Sequence, residues 1–226
     1  GVCQVSTTLY NAVLKAELEV TQRSNHSMIV TYVKPSMDAA IAGDYKDLKF
    51  VNNLDAPIYI EGYTVGKDIY FNIYGQETRP SNRKVTYESE VVSEEDPGTQ
   101  FVATGDAIGS ISTTQGKHMG YVARLWKIVT VDGVEQSRDA INKSTYKSSP
   151  KIVNVGTASA DPNAVAAVNA ALATGDEATI YATVAQYSGA GQTPSEAPAD
   201  SSAEAAAILG TVDESQITGN TTAEGQ

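Results

Sequence analysis

The sequence predicts an α+β N-terminal domain, with one main helix packed on antiparallel strands, then a small elongated all-β module and a largely disordered C-terminal tail. Three observations support this fold class. Apolar residues recur at helical spacing near the start, runs rich in β-branched and aromatic residues follow, and the composition changes sharply after about residue 157. The expected domains are therefore residues 1–80, 81–157 and 158–226.

The first element is a helix predicted over residues 4–19. Its apolar positions run from Val5 to Val20 at intervals of three and four residues, and polar side chains such as Asn11 and Lys15 fall largely elsewhere around the helix. The segment 1–3, which contains Cys3, is its expected start.

Strands are predicted after this helix. The runs "HSMIVTYV" and "DLKFVNN" are typical strands, and "PIYIEGYTVGKDIYFNIYG" is a predicted hairpin with its turn at "VGKD". On this hairpin Ile58, Ile60, Tyr70 and Ile73 are expected to cover one half-buried face.

The second region is predicted to contain almost only strands. "KVTYESEVV" is followed by a turn-prone acidic segment, Asp132-Gly133 indicates a hairpin, and "KIVNVGT" is a closing strand. In the tail, Asp161 and Pro162 predict the start of one or two weak helices. Beyond Ser188 the composition predicts disorder, with a short helix near "AEAAAILG".

Composition and charge exclude several function classes. A net charge of −11 argues against nucleic acid and against an anionic membrane surface as partners. No stretch approaches the roughly 20 apolar residues of a membrane span, so a membrane anchor is expected only outside this chain. One cysteine and two distant histidines do not form a metal-ligand cluster, so we expect neither a metal nor a cofactor.

Cys3 is the strongest candidate for a reactive side chain, because it is expected at the N-terminus of a helix. There the unpaired backbone N–H groups and the helix dipole favour a thiolate over the free thiol, whose pKa is about 8.5. His26 is a candidate base at the head of the next predicted strand. Asp38 and Asp47 are both candidates for a carboxylate that orients the imidazole.

Three segments of the first region resemble the VanW-like domain of bacterial cell-wall proteins. They are "CQVSTTLYNAVLKAELEV", "HSMIVTYVKPSMDAAIA" and "DLKFVNNLDAPIYI". Glu17 and Met37 depart from the resemblance, since the family commonly has glycine at both positions. The family pattern continues upstream of Cys3, so we expect these residues to be the C-terminal part of a truncated domain.

The resemblance implies an acyl-transfer enzyme of L,D-transpeptidase type that acts on peptidoglycan stem peptides in the full-length protein. Cys3 would be the nucleophile, His26 the general base and Asp38 the orienting group. The residues expected to bind substrate are Gln4, Ser6, Thr7 and Tyr32. The alternatives are a cysteine amidase or endopeptidase of wall peptides, and a non-catalytic wall-anchoring protein.

The second region resembles the G-five (G5) domain. The similarity lies in "VTYESEVVSEEDPGTQF" and "VDGVEQSRDAINKSTYKSSPKIVNVGT". It implies binding to cell-wall glycans that contain N-acetylglucosamine, and a protein that is extracellular or wall-associated in a bacterium of Gram-positive type. Tyr121 and Trp126 are candidates for stacking on a sugar ring, although ordinary packing in a thin module is the favoured interpretation of both.

Overall fold

A computed structural model describes residues 1–188 of the chain. The disorder and the short helix expected beyond Ser188 lie outside the described residues. Within that range the protein is mostly β-sheet with three helices, which are α1 (Val2–Lys15), α2 (Pro162–Thr174) and α3 (Glu177–Tyr187). No helix among the described residues is long and apolar enough to cross a membrane.

Ten strands form four small sheets in the described chain. They are β1 (Glu19–Gln22), β2 (Lys49–Val51), β3 (Tyr59–Val65), β4 (Asp68–Tyr74), β5 (Arg83–Glu95), β6 (Thr99–Ala107), β7 (Ile111–Gln115), β8 (Gly120–Val131), β9 (Val134–Tyr146) and β10 (Lys151–Ala158). β1 pairs with β2 and β3 with β4, both antiparallel. In the second region β8 lies between β5 and β9, while β10 lies between β7 and a parallel β6.

Helix α1 ends four residues earlier than predicted because the chain reverses at Glu17. Glu17 has a positive φ of 56°, and the N–H of Leu18 donates to the carbonyl of Val13 at 3.1 Å. This is the hydrogen-bonding pattern of a Schellman end, whose left-handed residue is usually glycine. Glu17 thus occupies a left-handed position that favours glycine. The carboxylate of Glu17 ion-pairs with Arg79, Arg83 and Lys127.

The strand predicted for "HSMIVTYV" is wrong. Residues 23–41 belong to no strand and run irregularly along the β5–β8–β9 sheet. The backbone of Ser27 accepts a hydrogen bond from Lys147, and the Ile29 side chain packs on Tyr121 and Tyr146. The β-branched residues of this segment fill space against another sheet, a tertiary use that overrides their strand propensity.

The expected helix on antiparallel strands is found only in part. Helix α1 packs on the β3–β4 hairpin, but its buried residues Tyr10 and Leu14 share a cluster with Ala39 and with Leu125 of β8. The first region therefore builds its core jointly with the second. Tyr70 faces away from Ile60 and Ile73 in the hairpin, because strand residues alternate between faces.

Two C-terminal helices, α2 and α3, form where the sequence predicts one or two. Asp161 caps α2 by accepting a hydrogen bond from the Asn163 N–H at 2.9 Å, as expected, and Pro162 occupies the first helical position. Both helices also pack on the second sheet of the β module. Their buried residues Val168 and Ile180 form one cluster with Val153 and Val155 of β10.

Candidate active site

The side chain of Cys3 lies in the first turn of α1, beside the loop that contains Ile41. Its sulfur is 3.5 Å from both the backbone nitrogen and the carbonyl oxygen of Ile41. The His26 imidazole lies near enough to lower the pKa of the thiol. Cys3 is partly exposed. A partly exposed thiol near a histidine and a backbone N–H is typical of reactive cysteines.

The imidazole of His26 is fixed by Asp38. Its Nδ1 lies 2.6 Å from one carboxylate oxygen of Asp38, and the backbone N–H of His26 donates to that same oxygen at 2.7 Å. With Nδ1 engaged by the carboxylate, Nε2 is the ring nitrogen left for a second partner, and the Tyr32 hydroxyl lies 3.4 Å from it. The structure thus places His26 between the buried carboxylate of Asp38 and the region of Cys3.

The alternative carboxylate, Asp47, lies elsewhere. It is about half exposed, it accepts a hydrogen bond from the Leu48 N–H, and its nearest cation is Lys49 at 3.8 Å. Of the two candidate carboxylates, Asp38 is the one that contacts His26.

Asp38 is completely buried, and its negative charge is balanced by Arg23. The Arg23 guanidinium donates to the second carboxylate oxygen at 2.8 Å and to the Asp38 carbonyl at 2.6 Å. The hydroxyl of Tyr146 donates to that carboxylate oxygen at 2.5 Å. Each oxygen of Asp38 thus accepts two hydrogen bonds, which is what a buried carboxylate requires to stay charged.

Strand β9 of the second region supplies much of this support. Besides Tyr146, it contributes Ser144, whose hydroxyl bonds to Arg23 at 2.8 Å and to the Ser36 hydroxyl at 2.9 Å. Asn142 on the same face donates to the Ser36 carbonyl and to the Tyr10 hydroxyl. The first region thus does not complete its own site, because the carboxylate is held from both sides of the domain junction.

These contacts shift the pKa values of all three groups. The Ile41 N–H lowers the pKa of the Cys3 thiol, with His26 acting in the same direction and burial opposing it. The hydrogen bond to Asp38 raises the pKa of His26. Burial raises the pKa of the Asp38 carboxyl, but His26, Arg23 and Tyr146 together outweigh it and hold that pKa below its usual value. These directions favour a thiolate beside an imidazolium.

The four residues expected to bind substrate separate into two groups. Ser6 and Thr7 are buried, and both hydroxyls bond to the backbone of Ala39, which ties α1 to the segment that carries Asp38. Gln4 is exposed, and Tyr32 lies with its hydroxyl 3.4 Å from Nε2 of His26. Only Gln4 and Tyr32 face an open surface.

A shallow cleft of about 370 Å³ lies beside the site. Gln4 and Thr8 line it from α1, Tyr32 from the loop and Tyr70 from the hairpin. Since the Tyr32 hydroxyl also contacts His26, the cleft lies next to the imidazole.

Sequence analysis missed Arg23 and Tyr146, the two side chains that stabilise the charge of Asp38. Arg23 lies three positions before His26 in the predicted turn between helix and strand, where an arginine is usually solvated. Tyr146 is separated from Asp38 by 108 residues, and no spacing signal connects them.

Comparison with known proteins agrees with both resemblances. The family profile described as "VanW like protein" matches residues 1–74, and the profile "G5 domain" matches residues 77–158. "Uncharacterized protein YoaR" of Bacillus subtilis (strain 168) is 38% identical over 77 residues, which are 34% of this chain and 25% of that protein. The chain therefore spans about a quarter of the length of this curated relative.

Two solved structures resemble parts of the chain at low identity. "IgA1 Protease G5 domain structure" is 23% identical, with a TM-score of 0.24. The match covers 34% of this chain and 94% of the chain in that structure. "Crystal structure of HP0197-G5" is 20% identical, with a TM-score of 0.18. The match covers 32% of this chain and 99% of the chain in that structure.

The pairing of these two domain types is typical of secreted or cell-wall associated bacterial proteins, in which the G5 domain is a glycan-binding module. The chain therefore consists of a VanW-like segment at residues 1–74, followed by a G5 domain at residues 77–158.

Proposed function

We propose that the VanW-like segment is the thiol-bearing part of a cysteine-dependent acyltransferase of L,D-transpeptidase type, held on the bacterial wall by the G5 domain. The observation that supports this most is the juxtaposition of Cys3, His26 and Asp38, with Asp38 fully buried and His26 within 2.6 Å of it. Burying a charged carboxylate costs free energy, and packing alone does not require one. A buried carboxylate bonded to a histidine near a thiol is therefore more typical of a functional site.

The proposed substrate is a peptidoglycan stem peptide with a terminal D-amino acid. The Cys3 thiolate attacks the carbonyl carbon that precedes this residue and forms a carbon–sulfur bond. As the carbon–nitrogen bond breaks, the His26 imidazolium gives its proton to the departing amine. The peptide remains on Cys3 as a thioester, and His26 is left neutral.

The second half of the reaction transfers the acyl group to an amine of a neighbouring stem peptide. The amine attacks the thioester carbonyl and loses a proton to His26, and Cys3 leaves as its thiolate. The pair is thereby restored, with Asp38 stabilising the imidazolium in both halves. The N–H groups in the first turn of α1, beside the sulfur, favour the negative charge of the tetrahedral intermediates.

Intact-protein mass spectrometry tests this function directly. The full-length protein that contains this chain is incubated with a synthetic stem peptide that ends in a D-amino acid, and the protein mass is recorded. We expect an adduct equal to the peptide without its terminal residue, located on Cys3 and absent from the Cys3→Ser variant. Added acceptor amine should release it as a cross-linked product.

Two outcomes would overturn the proposal. Release of the adduct only as a free acid, even with acceptor present, would instead support the amidase or endopeptidase alternative. Absence of any adduct, together with retention on purified peptidoglycan by Cys3→Ser as well as by the unaltered chain, would support a non-catalytic anchoring protein.

A further inference from the structure

The outer face of the β3–β4 hairpin carries four exposed tyrosines. They are Tyr59, Tyr63, Tyr70 and Tyr74, and between 42% and 66% of each side chain is accessible. Tyr63 and Tyr70 are cross-strand neighbours with stacked rings 5.2 Å apart, and Tyr59 and Tyr74 form a second pair at 6.1 Å. We call these four residues the tyrosine face.

Polar groups lie between the two aromatic pairs. Asn72 and Glu61 are opposite each other in the hairpin and are joined by a 3.0 Å hydrogen bond, and the Tyr74 hydroxyl donates to the same Glu61 carboxylate at 3.0 Å. The face therefore alternates aromatic rings with a carboxylate and an amide that are only partly buried.

The opposite face of the hairpin keeps the tyrosines turned outward. Ile60, Phe71 and Ile73 are partly buried there, and the Phe71 ring covers Gly62 so closely that a Cβ at position 62 would lie 2.7 Å from it. The four tyrosines are exposed and belong to none of the buried clusters, so the tyrosine face does not contribute to the core of the described chain. Large exposed aromatic surfaces of this kind usually mark a binding site.

We propose that the tyrosine face binds a neutral saccharide, as a second glycan site in addition to the G5 domain. Aromatic rings pack against the C–H faces of sugar rings, while the carboxylate and amide between them suit sugar hydroxyls. Glu61 is the charged group between the two tyrosine pairs, and the whole chain has a net charge of −11, so an anionic polymer is disfavoured.

The position of the face indicates how such a glycan would lie. Tyr70 belongs both to the tyrosine face and to the cleft that Gln4 and Tyr32 line beside His26. A saccharide on the hairpin would thus end next to the thiol site, where substituents of its sugars can enter the cleft. Binding at the tyrosine face does not depend on whether Cys3 forms an acyl-enzyme.

Site-resolved NMR tests the proposal on the 226-residue chain. A soluble N-acetylglucosamine oligomer is titrated into the isotope-labelled protein, and the amide shifts are followed. We expect saturable shifts on β3 and β4. The double variant Tyr63→Ala/Tyr70→Ala should bind the oligomer with a dissociation constant at least about tenfold higher, because it loses aromatic stacking. The control Tyr45→Ala, an exposed tyrosine outside the hairpin, should bind like the unaltered chain.

The amide spectrum of residues outside β3 and β4 reports whether the double variant is folded, and we expect it to be unchanged. Shifts confined to residues 83–158, or no shifts at all, would overturn the proposal. So would equal affinity of the double variant and the unaltered chain.

Discussion

The Asp38→Asn variant is expected to lose about 3–5 kcal/mol of stability, the cost of breaking a buried ion pair. The substitution removes the charge that Arg23 faces at 2.8 Å, while Arg23 itself remains only 7% exposed. Since one carboxylate oxygen becomes an NH₂ group, the substitution also removes the acceptor of either His26 Nδ1 or the Tyr146 hydroxyl. Urea denaturation followed by circular dichroism measures the stability.

The same variant should also react more slowly at Cys3. Without the carboxylate the His26 imidazolium is less stable. The Cys3 thiolate then loses its positively charged partner, so the pKa of the thiol rises. One pKa unit corresponds to about a tenfold loss of alkylation rate at neutral pH. The matched control is Asp47→Asn, whose carboxylate is exposed and does not contact His26. Equal effects of the two substitutions on stability and alkylation would contradict the assigned role of Asp38.

The Gly156→Ala variant is expected to disrupt the second sheet of the G5 domain. A Cβ at position 156 would lie 2.2 Å from the carbonyl oxygen of Ala107 and 2.8 Å from that of Asp106, and backbone atoms cannot move aside as a flexible side chain can. Overpacking of this kind costs about 1–3 kcal/mol, and backbone contacts place this case at the upper end. Strand β10 would be displaced from β6.

Gly105→Ala is the matched control, since a Cβ there would meet no heavy atom within 4 Å. We expect it to change stability by less than about 0.5 kcal/mol. Because β10 supports α2 and α3 but not the thiol site, Gly156→Ala should leave Cys3 alkylation close to normal. Equal stability of the two glycine variants would contradict the close approach of β10 and β6.

Local signals explain which elements could be predicted from the sequence. The β8–β9 hairpin has Asp132-Gly133 at its turn, both with positive φ, and α2 begins at Asp161 and Pro162. In each case the residues that determine the conformation are neighbours in the chain. The hairpin turn at Gly66 was predictable for the same reason.

Tertiary contacts explain the failures. The irregular segment after β1 has the composition of a strand, but Ile29 packs on the β5–β8–β9 sheet, and the Ser27 carbonyl accepts a hydrogen bond from the Lys147 N–H directly after β9. The helices expected in the tail do form, but their packing on Val153 and Val155 of β10 could not be predicted from their own composition. Such contacts join residues far apart in the sequence, and no local pattern predicts them.

The candidate site, like the fold, could be predicted from the sequence only in part. Cys3 and His26 follow from residue type and from the VanW resemblance, and the structure brings them together. Met37 was expected to replace a glycine in the turn before Asp38, but the residue with positive φ in that turn is Ser36. The roles of Arg23 and Tyr146 required coordinates, because both act through a buried carboxylate at the domain junction.

The pH dependence of Cys3 alkylation tests the central claim most directly. The claim is that the Cys3 thiolate is stabilised by a His26 imidazolium, which the Asp38 carboxylate stabilises in turn. The pKa of Cys3 is lowered and that of His26 is raised, so the reactive ion pair forms as pH rises through the thiol pKa. We predict half-maximal alkylation clearly below the pH of about 8.5 typical of a free thiol, and an upward shift in His26→Ala. Half-maximal alkylation at or above that pH, unchanged in His26→Ala, would contradict the account.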